Sequence, residues 1–166
     1  VKGYILTLWI LIAAATAHCQ PVSIIRLPQL KEFLSVQNDT TYILNFWATW
    51  CKPCVKELPA FDSLHQTIQA KKARIILISL DDARVLESKV IPFIKQRKTK
   101  PEVLLLDETD YNQWIDLVEP TWGGAIPATL IFNPHHRFRK FIEGETHYRE
   151  LKTYLNASYT QLQKHK

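Results

Sequence analysis

Apolar positions along this chain alternate between two spacings. Residues 42–47 (Y-I-L-N-F-W) and 74–80 (R-I-I-L-I-S-L) are nearly continuous apolar runs, as are 102–106 and 128–132. Such runs read as strands buried on both faces of a largely parallel sheet. Between them the spacing lengthens to three and four. Leu30, Phe33 and Leu34 follow Pro28; Val55, Leu58, Phe61, Leu64 and Ile68 form a stripe from Cys51 to about residue 70; Leu86, Val90, Phe93 and Ile94 form another. These are helix faces, with Pro59 kinking the second and Pro92 kinking or restarting the third. Ile24 and Ile25 suit a short edge strand, and Tyr111, Trp114, Ile115 and Val118 a short helix capped by Asp110. Residues 133–136 (N-P-H-H) turn the chain into a return strand over 137–143. Gly144 then breaks it, Thr146 is positioned to cap, and Leu151, Tyr154, Leu155, Tyr159 and Leu162 line a terminal helix. Strands alternating with helices, followed by a hairpin and a helix, predict an α/β sandwich.

Composition narrows the class. The chain has 166 residues, 46% hydrophobic and 22% charged, which is ordinary for one globular domain with a real core. The formal charge is +5, and only Lys2 of residues 1–19 contributes to it. The remaining basic residues are scattered without a stripe, so nucleic acid is not an expected partner. Three cysteines are too few for a disulfide scaffold.

Residues 1–19 have a basic start, an apolar run over 4–15 and the small-residue end Ala15-Thr16-Ala17. This pattern predicts an export leader, with the domain at 20–166. Two processing routes are open: cleavage after Ala17, or lipidation at Cys19 in the manner of a bacterial lipoprotein. Either route leaves the domain outside the cytoplasm, free or anchored.

The chemistry concentrates where the first long strand feeds a helix, at Cys51-Lys52-Pro53-Cys54. Residues three apart share a helix face, so the two sulfurs can meet. Cys51 falls at the helix N-terminus, where unpaired N–H groups and the dipole favour a thiolate. Lys52 adds a cation, and Pro53 suits a first turn. The alternative, half of a structural zinc site, needs four ligands, and no H-x₃₋₅-H spacing supplies the rest. A redox dithiol is the better reading, with no metal and no cofactor beyond the cysteine pair. Glu57, one turn past Cys54, is either a proton acceptor for the inner sulfur or a solvated surface carboxylate.

The segment F-W-A-T-W-C-K-P-C-V-K-E-L-P resembles the active-site segment of the thioredoxin superfamily, in particular its TlpA/ResA-like branch of envelope thiol–disulfide oxidoreductases. W-G-G-A-I-P-A-T-L-I-F (122–132) resembles the same family's cis-proline segment. The resemblance implies a thioredoxin-like α/β/α sandwich with a mixed, mostly parallel sheet and a central helix–strand insertion. It implies the strand order 102–106, 75–80, 43–47, 128–132, 138–142 with only the last strand antiparallel. It also implies a cis Pro127 beside the cysteines, with the Ile126 backbone and Trp50 meeting substrate and Trp47 and Trp122 walling the site. Asn45 stands where thioredoxin carries a proton-accepting aspartate, so the resemblance offers no proton relay from that strand. The implied reaction is thiol–disulfide exchange: Cys51 is the exposed attacking sulfur, Cys54 the buried resolving one. Lys52, Pro53 and Glu57 support it. Expected partners are disulfide-containing envelope proteins, apocytochrome c among the family's substrates, and a membrane or soluble thiol reductant; a monomer in the bacterial periplasm or envelope is expected. A copper-binding chaperone on the same fold is the rival, although such proteins space the cysteines one residue wider. A peroxidase would need a threonine three residues before its cysteine, where this chain has Ala48.

Overall fold

A computed structural model describes residues 22–68 and 72–160. The leader, Cys19 and Leu162 lie outside the described residues, as does the end of the expected helix near residue 70. In chain order the elements are β1 (Ser23–Ile25), α1 (Leu27–Ser35), β2 (Thr41–Trp47), α2 (Lys52–Thr67), β3 (Ala73–Ser79), α3 (Ile91–Arg97), β4 (Glu102–Leu106), α4 (Ile115–Val118), β5 (Ala128–Asn133), β6 (Phe138–Glu143) and α5 (Tyr148–Ala157). A 3₁₀ turn over Ala83–Val85 and a π turn over Leu86–Val90 precede α3, whose first turn holds Pro92, so of the two roles open to it the proline restarts the helix.

The strands form one six-stranded sheet in the order β1-β4-β3-β2-β5-β6. The expected order is present, with β1 added outside β4. One direction differs: β5, not the last strand, opposes its neighbours. β2 pairs antiparallel with β5, and β6 is antiparallel to β5, so β6 runs with β2 again. The reason lies in the site. β2 ends at the cysteine loop and β5 begins just after Pro127, with Phe46 opposite Ala128 and Tyr42 opposite Phe132. A strand that starts where its neighbour ends must run the other way. The unit α3–β4–α4 is the central insertion, and β4 joins the sheet parallel to both β3 and β1.

Strand alternation sorts the core onto two faces. From β2, Ile43 and Trp47 join Leu58, Phe61, Leu64, Leu151 and Leu155 under α2 and α5, together with Cys51 and Cys54. Tyr42, Leu44 and Phe46 join Leu30, Trp114, Trp122, Leu130 and Phe132 on the other face, under α1 and α4. Every residue of β2 is buried, which is why its sequence reads as a continuous apolar run. Each fully buried aliphatic or aromatic side chain contributes roughly 1.5–3 kcal/mol by leaving water. Thr41 and Asn45 are the polar exceptions, on the same strand face as Ile43 and Trp47.

Candidate active site

Cys51 and Cys54 form a disulfide, with Cα atoms 5.2 Å apart. Cys51 is the N-cap of α2, with extended φ and ψ, and its Sγ accepts the Cys54 N–H at 3.3 Å. Sulfur thus occupies the place usually taken by a capping serine or aspartate oxygen. Its own N–H donates to the Ala48 carbonyl at 3.2 Å, closing the turn, and its carbonyl accepts the first helical bond from Val55 N at 3.0 Å. Lys52 and Pro53 fill the first helical turn, both exposed. The two cysteines differ in access, but less than expected. Cys51 retains 5% of its surface and Cys54 none, so in the disulfide Cys51 is a narrow opening rather than an exposed side chain.

Facing Cys51 is the Ile126–Pro127 peptide, which is cis. The Ile126 carbonyl oxygen lies 3.7 Å from Cys51 Sγ. This is a contact in the oxidised protein, because a disulfide sulfur has no S–H to donate. Pro127 is buried, and its carbonyl accepts the Gly144 N–H at 2.8 Å, tying the proline to the end of β6. Gly144 makes that connection at φ 105°, in the left-handed region that a side chain disfavours. Trp122 does not wall the site. It packs with Phe46 and Trp114 across the sheet, and its Nε1 donates to the Ala125 carbonyl at 2.8 Å, bracing the loop before the proline. Trp47 is fully buried in the core cluster that holds both cysteines, whereas Trp50, immediately before Cys51, is 67% exposed.

Glu57 is not a solvated carboxylate. It is 3% exposed. Its Oε1 accepts from Asn45 Nδ2 at 2.7 Å and its Oε2 from the Thr146 backbone N–H at 2.7 Å. Burial pushes its carboxyl up to about 7, against the pull of those two hydrogen bonds, and the nearby Glu145 adds to the rise. A buried carboxyl thus stands beside Asn45, carried by α2 one turn past Cys54. Thr146 does not cap α5. That helix begins after His147, and Thr146 instead donates its N–H to Glu57 and its hydroxyl to Glu150 at 2.9 Å. Asn45 Nδ2 also reaches Thr129 Oγ1 at 3.0 Å.

Residues beyond the expected set join the buried hydrogen-bond networks next to this segment. Thr129 and Thr146 complete the Glu57 network. Asp81 is 3% exposed, and its carboxylate accepts from Thr49 N at 2.8 Å, Thr49 Oγ1 at 2.6 Å and Ser79 Oγ at 2.8 Å. Of the acidic pair at the end of β3, only Asp82 caps the following turn, through Arg84 N. Among the described residues, no group of three or more His, Cys, Asp and Glu side chains is arranged to hold a metal ion.

The fold and this geometry define a thioredoxin-like protein, with a disulfide at a helix N-terminus facing a cis-proline. The chain belongs to the AhpC/TSA family, which it matches over residues 14–141. It is 29% identical over 112 residues to a thiol-disulfide oxidoreductase ResA of Bacillus cereus, an alignment covering 68% of this chain and 60% of that protein. Among solved structures it is similar to a thioredoxin-related protein from Neisseria meningitidis serogroup B, with TM-score 0.63, 25% identity and coverage of 76% of this chain and 89% of that one. It is also similar to StoA from Bacillus subtilis, with TM-score 0.54, 24% identity and coverage of 72% and 84%. The chain spans 60–66% of the length of the first curated relatives it matches.

Proposed function

We propose that this protein is a thiol–disulfide oxidoreductase that reduces disulfides of envelope proteins. The observation that carries the reading is the Cys51–Cys54 disulfide capping α2, with the Ile126–Pro127 peptide 3.7 Å from the outer sulfur. In the reduced protein the Cys51 thiolate attacks one sulfur of a substrate disulfide. The S–S bond breaks, one substrate thiolate leaves, and a mixed disulfide forms. Cys54 then loses its proton and attacks Cys51 Sγ, releasing the second substrate thiolate and leaving the disulfide described here. Two electrons pass to the substrate. Glu57, buried one turn past Cys54 with its carboxyl near neutrality, is the acceptor for the Cys54 proton. The backbone at Ile126 and the exposed Trp50 form the surface on which an extended substrate segment lies.

No cofactor other than the cysteine pair takes part. A membrane or soluble thiol reductant returns the pair to the dithiol. Residues 1–19 act as the export leader, by cleavage after Ala17 or lipidation at Cys19, and the domain works as a monomer in the bacterial periplasm or envelope. Among the described residues no helix is long and apolar enough to cross a membrane.

A trap tests the reading. The Cys54→Ser protein, expressed in its host, should accumulate disulfide-linked to client proteins through Cys51, and Cys51→Ser should abolish every adduct. Equilibration with glutathione should place the pair below roughly −190 mV, in the reducing half of the range from about −270 to −120 mV. A potential near −120 mV, with the protein recovered oxidised, would assign it to disulfide donation. A tight stoichiometric Cu(I) site that requires a histidine would instead favour the copper chaperone.

A further inference from the structure

We infer that Asp81 is a positioning residue for Cys51: it clamps the turn that delivers the nucleophile, and its charge raises the energy of the Cys51 thiolate. The inference rests on the exchange reaction proposed above. The register of the sheet creates the clamp. Trp47 and Ser79 are partners at the ends of β2 and β3, so Thr49 and Asp81 stand at the same offset beyond them. The ladder continues one step further, with Leu80 N donating to the Trp47 carbonyl at 2.8 Å. Asp81 then takes both donors of Thr49, its N–H at 2.8 Å and its hydroxyl at 2.6 Å. Thr49 is therefore fixed in backbone and side chain together. Cys51 follows two residues later, within about 7.6 Å of chain.

Stability alone does not account for this residue. Taking a carboxylate out of water is costly, and an amide side chain at the end of a strand would offer Thr49 an acceptor without carrying a charge out of water. Capping of the next turn is done by Asp82. Asp81 is met by N–H and O–H donors, and no Lys, Arg or His pairs with it among the described residues. Its charge is thus hydrogen-bonded but not neutralised, and it is held against Thr49, two residues before the sulfur that becomes anionic on reduction. The other charges framing the site are exposed Lys52, the Lys56–Glu145 pair on the rim and buried Glu57. Against the helix dipole and Lys52, Asp81 pushes the equilibrium toward disulfide. A pair that prefers to be oxidised is a reductant toward its substrates.

The test uses the intact chain and no protein substrate, so it stands apart from whether envelope disulfides are the true clients. The Cys51 pKa is read from thiolate absorbance of the reduced protein, and the dithiol/disulfide ratio from glutathione buffers. In Asp81→Asn, which keeps an acceptor for Thr49 and removes the charge, the Cys51 acid constant should rise about three- to tenfold, and the glutathione equilibrium should move toward dithiol by up to the same factor. In Thr49→Val the charge stays and one clamp bond goes. The pKa should then change little, while the rate of attack on a small aromatic disulfide, compared at full ionisation, should fall about three- to tenfold. Thermal melts check folding. If Asp81→Asn lowers the melting temperature but leaves both acid constant and equilibrium within twofold of the parent, the residue is structural and the inference fails. If the parent protein does not exchange disulfides at all, the proposed function fails instead.

Discussion

Asn45 Nδ2 donates to Glu57 Oε1 at 2.7 Å, joining the middle of β2 to α2 one turn past the buried sulfur. The amide oxygen on the other side of Asn45 has no hydrogen-bond partner among the described residues. A half-turn of the amide would present that oxygen to the carboxyl group, so Asn45 can serve Glu57 as a donor when it is ionised and as an acceptor when it is protonated.

Glu57→Gln should flatten the pH dependence of stability. The folded carboxyl titrates at about 7 against an ordinary 4.5, so the folded oxidised protein holds a proton that the unfolded chain has released. The resulting stability is fully present below about 4.5 and is lost as pH rises through about 7, roughly 3 kcal/mol across the window. Glutamine mimics the protonated acid: its oxygen accepts from Thr146 N and its amide donates to the turned Asn45. Denaturant titrations at pH 4.5 and 8 should show the variant gaining on the parent at the higher pH. Equal slopes in both proteins would refute the assignment. In the same variant, resolution of a mixed disulfide by Cys54 should slow about 10²-fold near neutrality.

Reduced protein should react with iodoacetamide first at Cys51. Cys51 retains some exposed surface whereas Cys54 has none, and only Cys51 Sγ receives an N-capping amide. Mass mapping after brief labelling would show which cysteine carries the label, and Cys54 modified first would reverse the assigned roles.

Trp50→Ala should leave folding almost untouched, within about 0.5 kcal/mol, because the ring is 67% exposed. Its effect belongs to substrate contact. KM for a protein disulfide should rise several-fold while the reaction with a small disulfide reagent stays the same. Equal loss with both substrates would mean that Trp50 shapes Cys51 rather than the client surface.

Thr41→Val should destabilise the fold by roughly 1–3 kcal/mol. The Thr41 hydroxyl lies 2.6 Å from Ser158 Oγ and accepts from Asn133 Nδ2 at 3.1 Å, and all three residues are fully buried. Valine keeps the shape but deprives Asn133 of its acceptor. The glutathione equilibrium should not move, since this cluster lies at the opposite end of β2 from the cysteines.

The period of the apolar residues made the strands and helices legible, and the cysteine spacing at a strand–helix junction made the redox pair legible. What escaped depends on contacts distant in sequence. Glu57 sits three residues past Cys54 beside a lysine, and nothing local distinguishes it from a surface carboxylate. Its burial follows from the 144–147 segment folding over it, and one of its partners is a backbone N–H that no side chain advertises. Asp81 and Asp82 look alike in the chain, yet only the β2–β3 register tells which faces Thr49. Trp122 lies close in sequence to the cis-proline, but the loop between them carries it to the other side of the sheet. The direction of β5 was available in principle, because a proline placed beside Cys51 already fixes where that strand begins.

The separation of the core into two faces also divides the protein's light emission. Of five tryptophans in the sequence, Trp9 lies outside the described residues, Trp47 shares the cluster of the cysteines and Trp50 adjoins Cys51, whereas Trp114 and Trp122 meet edge to face behind the sheet, ring centroids 5.5 Å apart. A disulfide quenches an excited indole only at close range. The first pair should therefore brighten when the cysteines are reduced, while the second should stay constant as a reference within the same molecule. With Trp9, Trp114 and Trp122 replaced by phenylalanine, the residual signal should become an optical gauge of electron occupancy, readable in real time without a label.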